Sequence, residues 1–206
     1  MSVIIFDFDG TIADSRDYFV NFIAKEANRL PLSEAEQDDL QGLSLFTIAR
    51  RLGQHWWQMP RLYFKGRKRM DSVIPDLKPF RGMIEVVNKL HAEGHELFIV
   101  SSNSVRNIRR FLKRHHIYEN FLEIYGGAEV FGKSRTIRQL LKRNNLTVKE
   151  SILIGDELRD IQAAQSLNMR TLAVTWGFSS EKIIEHAKPT AIARSPQDII
   201  SILSEI

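Results

Sequence analysis

Short apolar, β-branched runs recur along this 206-residue chain, and amphipathic helical patterns separate the later ones. That alternation narrows the fold more than any other feature. The runs are Val3–Phe6, Leu97–Val100, Leu122–Tyr125, Ile152–Ile154, Thr171–Val174 and Ala191–Ala193. Val105, Ile108, Phe111 and Leu112 form a stripe on a segment whose Arg109, Arg110, Lys113 and Arg114 fall largely on the other side. Ile137, Leu140 and Leu141 mark a second helix over 134–142, and Ile161, Ala164 and Leu167 a third over 158–167. A last helix covers 196–203. Strand alternating with helix predicts βαβ units, and so an α/β fold with a parallel sheet covered on both faces. Such sheets bind ligands outside the carboxyl ends of their strands.

One stretch departs from this plan. From 16 to 78 no strand pattern appears. Tyr18, Phe19, Phe22 and Ile23 fit helical spacing, as do Leu43, Phe46, Ile48, Ala49 and Leu52. Ser33 with Glu36 makes a capping box at one helix start. Pro31, Pro60, Pro75 and Pro79 punctuate the segment. The expected organisation is a core of residues 1–15 and 79–206, with 16–78 as a small helical insertion.

The first apolar run leads straight into Asp7, Phe8, Asp9, Gly10 and Thr11. Burying one carboxylate without a partner is costly, and burying two side by side is more so. A cation, a proton or hydrogen bonds must offset that cost. Strand alternation sends Asp7 and Asp9 to one side, and Phe6 and Phe8 to the other. Gly10 lets the backbone turn sharply and its N–H approach a ligand. The simpler reading, a structural turn, suits a lone Asp-Gly step better than two acids flanking a phenylalanine.

The later run ends add polar groups. Leu97–Val100 leads into Ser101, Ser102, Asn103 and Ser104 ahead of a helix, which suits either anion binding or ordinary capping. Gly132, Lys133 and Ser134 open another helix. Ile152–Ile154 leads into Gly155, Asp156, Glu157, Leu158, Arg159 and Asp160. Two strands ending in carboxylates in one parallel sheet suggest a hard-cation site with oxygen ligands.

Composition sets outer limits. Hydrophobic residues at 43% and charged residues at 26% are those of a globular protein. Without cysteine there is no disulfide, thiolate metal site or cysteine nucleophile. No apolar stretch is long enough for a signal peptide or a membrane span, so a cytoplasmic location is expected. A formal charge of +4 suits anionic substrates and weakly permits nucleic acid.

Asp7-Phe-Asp-Gly-Thr-Ile-Ala-Asp14-Ser15, then Ser101, Lys133, and Gly155-Asp156 with Asp160, resemble the four ordered motifs of the haloacid dehalogenase-like hydrolases. Val174-Thr175-Trp176-Gly177-Phe178 is similar to the phosphoglycolate-phosphatase-like branch. The resemblance spans nearly the whole chain. It implies a Rossmann-like core with a helical cap and Mg²⁺-dependent hydrolysis of a small phosphate monoester. Asp7 would be the nucleophile, and Asp9 the acid and then the base. Mg²⁺ would be held by the Asp7 carboxylate, the Asp9 carbonyl and Asp156. Ser101 would bind a phosphoryl oxygen, with Ser102 the alternative if the register slips by one. Lys133 would balance charge, and Asp160 would support the site. Gly10, Thr11, Ser102 and Asn103 are the further substrate-binding candidates. Expelling halide needs neither a proton nor a metal, so Asp9 would have no task in a dehalogenase and points to phosphate.

Glu157 stands where the family often carries a small hydroxyl residue, and either reaches the metal or faces solvent. The basic run Arg61, Lys65, Arg67, Lys68 and Arg69 could grip an anionic substrate tail or a nucleic-acid backbone, but a solvated helix face is the expected reading. Trp56 and Trp57 could line the substrate pocket, but their helical spacing makes the core of the helical insertion the expected place; Trp176 and Phe178 are expected near the mouth of the site. His115 and His116 are neighbours that cannot share a helix face, so no metal site is expected there. A catalytically silent binding protein that keeps the fold is argued against by the intact set of Asp7, Asp9, Lys133 and Asp156, and two further rival readings stand beside the hydrolase. One is a sugar-phosphate mutase of the same superfamily. The other is a nucleic-acid-associated protein using the basic faces, which salt-dependent binding that survives Asp7→Asn would support.

Overall fold

The computed structural model describes residues 2–40, 43–127 and 132–206. After β1 (Val3–Phe6), the chain forms α1 (Arg16–Glu26), α2 (Glu34–Leu40) and α3 (Leu45–Arg51). A 3₁₀ turn at Trp56–Gln58 leads into α4 (Met59–Arg69), and a second follows at Met70–Ser72. Then come α5 (Met83–Ala92), β2 (Glu96–Val100), α6 (Val105–Arg114), β3 (Phe121–Tyr125), α7 (Lys133–Arg143) and β4 (Ser151–Gly155). The chain closes with α8 (Leu158–Gln165), β5 (Arg170–Val174), α9 (Glu181–His186), β6 (Ala191–Ala193) and α10 (Pro196–Glu205).

The six strands form one parallel sheet in the order β3-β2-β1-β4-β5-β6. Successive strands step outward in opposite directions from β1 and β4, so the crevice where the order reverses lies between them. Phe6 is in register with Ile99 of β2 and Ile154 of β4. The residues just beyond, Asp7, Ser101 and Asp156, therefore emerge at neighbouring carboxyl ends.

Alternation along the strands builds a core on each face. Ile4, Phe6, Leu97, Ile99, Ile152 and Ile154 pack with α5, α6 and α10 through Val86, Phe111 and Ile199. Val3, Ile5, Phe98, Val100 and Leu153 pack with Ile137, Leu140 and Leu141 of α7 and Ala164 of α8. Full burial of one such aliphatic or aromatic side chain is worth about 2 kcal/mol. Phe8, beyond β1, sits edge-on to Phe111 with ring centroids 5.0 Å apart, which anchors the turn carrying the acids.

Among the described residues of 16–78 there is no strand. Ile23, Ala24, Leu32, Leu40, Ile48, Ala49 and Leu52 make a separate apolar cluster there. The two ends of the segment run side by side: Asp14 N–H donates to the Lys78 carbonyl at 2.9 Å, and Phe80 N–H to the Ile12 carbonyl at 3.1 Å. Trp56 and Trp57 are not in this core. They are 69% and 59% exposed. They lie on a three-residue 3₁₀ turn, where α-helical spacing does not apply. Within the described residues no helix is long and apolar enough to cross a membrane.

Candidate active site

The chain leaves β1 in a tight coil. The Phe8 carbonyl accepts the N–H groups of Ile12 and Ala13 at 3.0 and 2.9 Å. Gly10 has φ +79°, the left-handed region that favours glycine. Its N–H donates to the Ala13 carbonyl at 3.0 Å, so that donor serves the turn. The coil holds Asp7 and Asp9 at the crevice, both fully buried.

Asp7 faces Lys133, from the first turn of α7. Lys133 Nζ lies 3.1 Å from Asp7 Oδ1 and 2.6 Å from Asp160 Oδ1. Asp7 Oδ1 also accepts the Phe8 N–H at 2.7 Å. Asp7 Oδ2 is buried and accepts no hydrogen bond among the described residues. Burial pushes this carboxyl up, but Lys133, Arg159, Arg67 and the Phe8 N–H outweigh it and hold Asp7 below the usual carboxylate range. Lys133 is pulled the other way: burial lowers it, yet Asp160 and Asp7 raise it above an ordinary lysine. Asp160 Oδ2 accepts the Glu157 N–H at 3.1 Å, which fixes the acid that orients Lys133.

Asp156, at the end of β4, accepts the Thr11 hydroxyl at 2.8 Å and the Phe178 N–H at 2.7 Å. Glycines frame these carboxylates: a Cβ on Gly10 or Gly177 would overlap Asp156, and one on Gly155 would overlap Asp160. Burial, with Glu157, Asp160 and Asp7 nearby, raises the Asp156 carboxyl well above its ordinary range against the pull of the Phe178 N–H. Asp7, Asp156 and Asp160 offer oxygens that all lie within 4.8 Å of one another.

Asp9 has different company. Asn103 Nδ2 lies 3.3 and 3.1 Å from its two oxygens, and Arg67 Nη1 lies 3.2 Å from Oδ2. Burial raises the Asp9 carboxyl, Arg67 opposes, Asp7 adds to the rise, and the net result is above an ordinary aspartate. Two neighbouring acids thus diverge: Asp7 is held below the ordinary aspartate range and Asp9 above it.

Arg67 was expected on a solvated helix face, and the structure corrects this: it is buried at Asp9. Its neighbours Lys65 and Arg69 pair with Glu26 of α1. Position within a cationic run gives no sign of which side chain turns inward. That depends on α4 docking against α1.

The remaining expected residues sit as follows. Ser101 is fully buried, and its Oγ accepts the Asn103 N–H at 3.2 Å; Ser102 is only half-buried. The Asn103 amide is spent on Asp9, and its Oδ1 accepts from Ser104 N–H and Asn107 Nδ2. The Thr11 hydroxyl is spent on Asp156. Glu157 caps α8 reciprocally with Asp160 and pairs with Arg159. Trp176 Nε1 donates to the Thr11 carbonyl at 3.2 Å, so both Trp176 and Phe178 border the acids. His115 Nε2 lies 3.1 Å from the Leu77 carbonyl. Beside the site, a cleft of about 440 Å³ runs between the helical segment and the sheet domain, lined by Phe19, Leu45, Leu62, Glu157, Arg159 and Phe178 among others.

The family described as haloacid dehalogenase-like hydrolase matches residues 4–174, from β1 to the end of β5. The chain belongs to the haloacid dehalogenase-like hydrolases. Within them it falls in the phosphoglycolate-phosphatase-like branch. It is 32% identical over 209 residues to a phosphoglycolate phosphatase of Synechococcus elongatus, covering 100% of this chain and 99% of that relative. It is 23% identical over 215 residues to a pyrophosphatase of Listeria welshimeri, covering 100% and 97%. A solved haloacid dehalogenase-like family protein from Streptococcus pneumoniae shares the fold at TM-score 0.76 and 22% identity, covering 98% of each chain. As a hydrolase of this family, the protein acts on phosphate esters.

The acid cluster of this hydrolase fits a divalent cation. Its donors are all oxygens, as Mg²⁺ requires. The buried Asp7 Oδ2 lacks a hydrogen-bond donor among the described residues, and the raised Asp156 carboxyl marks a local excess of negative charge.

Proposed function

We propose that this hydrolase removes phosphate from a small phosphate monoester through an aspartyl-phosphate on Asp7, with Mg²⁺ as cofactor. The opposed environments of Asp7 and Asp9 carry this reading. An ionised Asp7 attacks phosphorus, forming an Asp7–O–P bond while the ester P–O bond breaks. Asp9 gives its proton to the leaving oxygen. In the second half, Asp9 takes a proton from water as that water attacks phosphorus, the Asp7–O–P bond breaks, and phosphate departs. Lys133 keeps Asp7 ionised, and Asp160 keeps Lys133 in place. Ser101 hydrogen-bonds a phosphoryl oxygen. Asp7, Asp156 and the Asp9 carbonyl would hold Mg²⁺, which supplies charge neutralisation for the phosphoryl oxygens. Residues 16–78 act as a cap over a core made of 1–15 and 79–206, closing on the substrate and excluding water.

The phosphoglycolate phosphatase relative makes phosphoglycolate the first substrate to try, and the pyrophosphatase relative adds pyrophosphate. The test is phosphate release from a panel of monoesters. Release should stop with EDTA and return with excess Mg²⁺. Release that continues at full rate in EDTA would refute the metal's part.

A further inference from the structure

The helical segment sends one guanidinium to the acid pair, and its placement is built rather than incidental. Arg67, in the last turn of α4, has 7% of its side chain exposed, and Asp9 has none. Gly66 lets α4 press against α1: a Cβ there would lie 3.1–3.2 Å from ring carbons of Phe22 and Phe19, tighter than ordinary contact. The Tyr18 hydroxyl donates to the Gly66 carbonyl at 2.7 Å and fixes the turn that carries Arg67.

Lys133 and Arg67 differ in what holds them. Lys133 is gripped by Asp7 and Asp160 at 3.1 and 2.6 Å and belongs to the nucleophile. Arg67 faces Asp9 at 3.2 Å, the acid that meets the leaving oxygen on the reading above. It therefore lies on the leaving-group side. Asp9 also has the Asn103 amide, which remains when the ion pair opens. A guanidinium fork matches a carboxylate or phosphoryl group in two parallel hydrogen bonds. We propose that Arg67 selects substrates whose leaving group carries a second oxyanion, which takes the place of Asp9 at the guanidinium. In the complex the second oxyanion is the buried cation's anionic partner, while Asp9 carries the proton destined for the leaving oxygen, so the burial of the guanidinium stays compensated.

The proposal rests on the phosphatase reading, and the test separates the two. Steady-state kinetics would compare phosphoglycolate and pyrophosphate, which carry a second oxyanion, with ethyl phosphate, which is similar in size and does not. The enzymes are wild type, Arg67→Lys and Arg67→Met, each checked for folding by its melting curve. The preference for the anionic substrates, as a ratio of kcat/KM values, should fall about 30-fold or more in Arg67→Met. The loss should appear mainly in KM, and Arg67→Lys should keep part of the preference. A fall for phosphoglycolate alone, or for pyrophosphate alone, identifies which oxyanion Arg67 reads. Equal loss on all three substrates would overturn the proposal and leave Arg67 as a support for Asp9. If Arg67→Met does not fold, an unchanged ratio in Arg67→Lys overturns it. Wild type inactive on all three substrates would overturn the phosphatase reading and this one together.

Discussion

Asp7 and Asp9 are two residues apart and equally buried, yet their neighbours drive them in opposite directions. Lys133 and the Phe8 N–H bear directly on Asp7, whereas Arg67 and the neutral Asn103 amide bear on Asp9. The difference arises from which element each acid meets: α7 for the first, α4 and the loop after β2 for the second. Small residues are part of the same arrangement. A methyl group on Gly177 would collide with the Asp156 carboxylate and push it off the Phe178 N–H. Gly177→Ala should therefore raise the Mg²⁺ concentration for half-maximal activity by about 10-fold or more, as disturbed support of a ligand does. A Mg²⁺ titration of phosphate release checks this, and an unshifted titration would remove Asp156 from the metal set.

At the scale of elements, local signals are legible and docking is not. The Ser33–Glu36 capping box is present: Ser33 N–H donates to Glu36 at 3.0 Å, and the Glu36 N–H to Ser33 Oγ at 3.3 Å. A cap is written in four consecutive residues. The inward turn of Arg67 is not, because it needs Gly66, Phe19, Phe22 and Tyr18 from two helices. Trp56 and Trp57 mislead for another reason: two large aromatics near an apolar stripe read as core, but the 3₁₀ turn leaves them in solvent. Trp56→Ser and Trp57→Ser should each change the unfolding free energy by less than about 0.5 kcal/mol, as exposed positions do. Truncating a core tryptophan costs about 3–5 kcal/mol. Urea unfolding followed by circular dichroism distinguishes the two.

For the whole molecule, six runs and their intervening helices suffice to read a parallel sheet, and all six strands lie within a residue of where β-branching and apolarity put them. Strand order is a different matter. Only the crossing from β3 back to β4 beside β1 brings residue 156 to residue 7, and nothing local to either residue states it. Their shared place at strand ends suggests the link between the two acids, and the resemblance to the hydrolase family adds the order of their motifs along the chain. The central claim is that Asp7 itself carries the phosphoryl group. Acid quenching during turnover with Mg²⁺ and substrate, followed by mass spectrometry of the peptide containing Asp7, tests it directly. The account predicts one phosphoryl group on Asp7 in the wild type, with both the adduct and phosphate release lost in Asp7→Asn. Undiminished phosphate release by Asp7→Asn, or a phosphoryl group on a different residue, would contradict it.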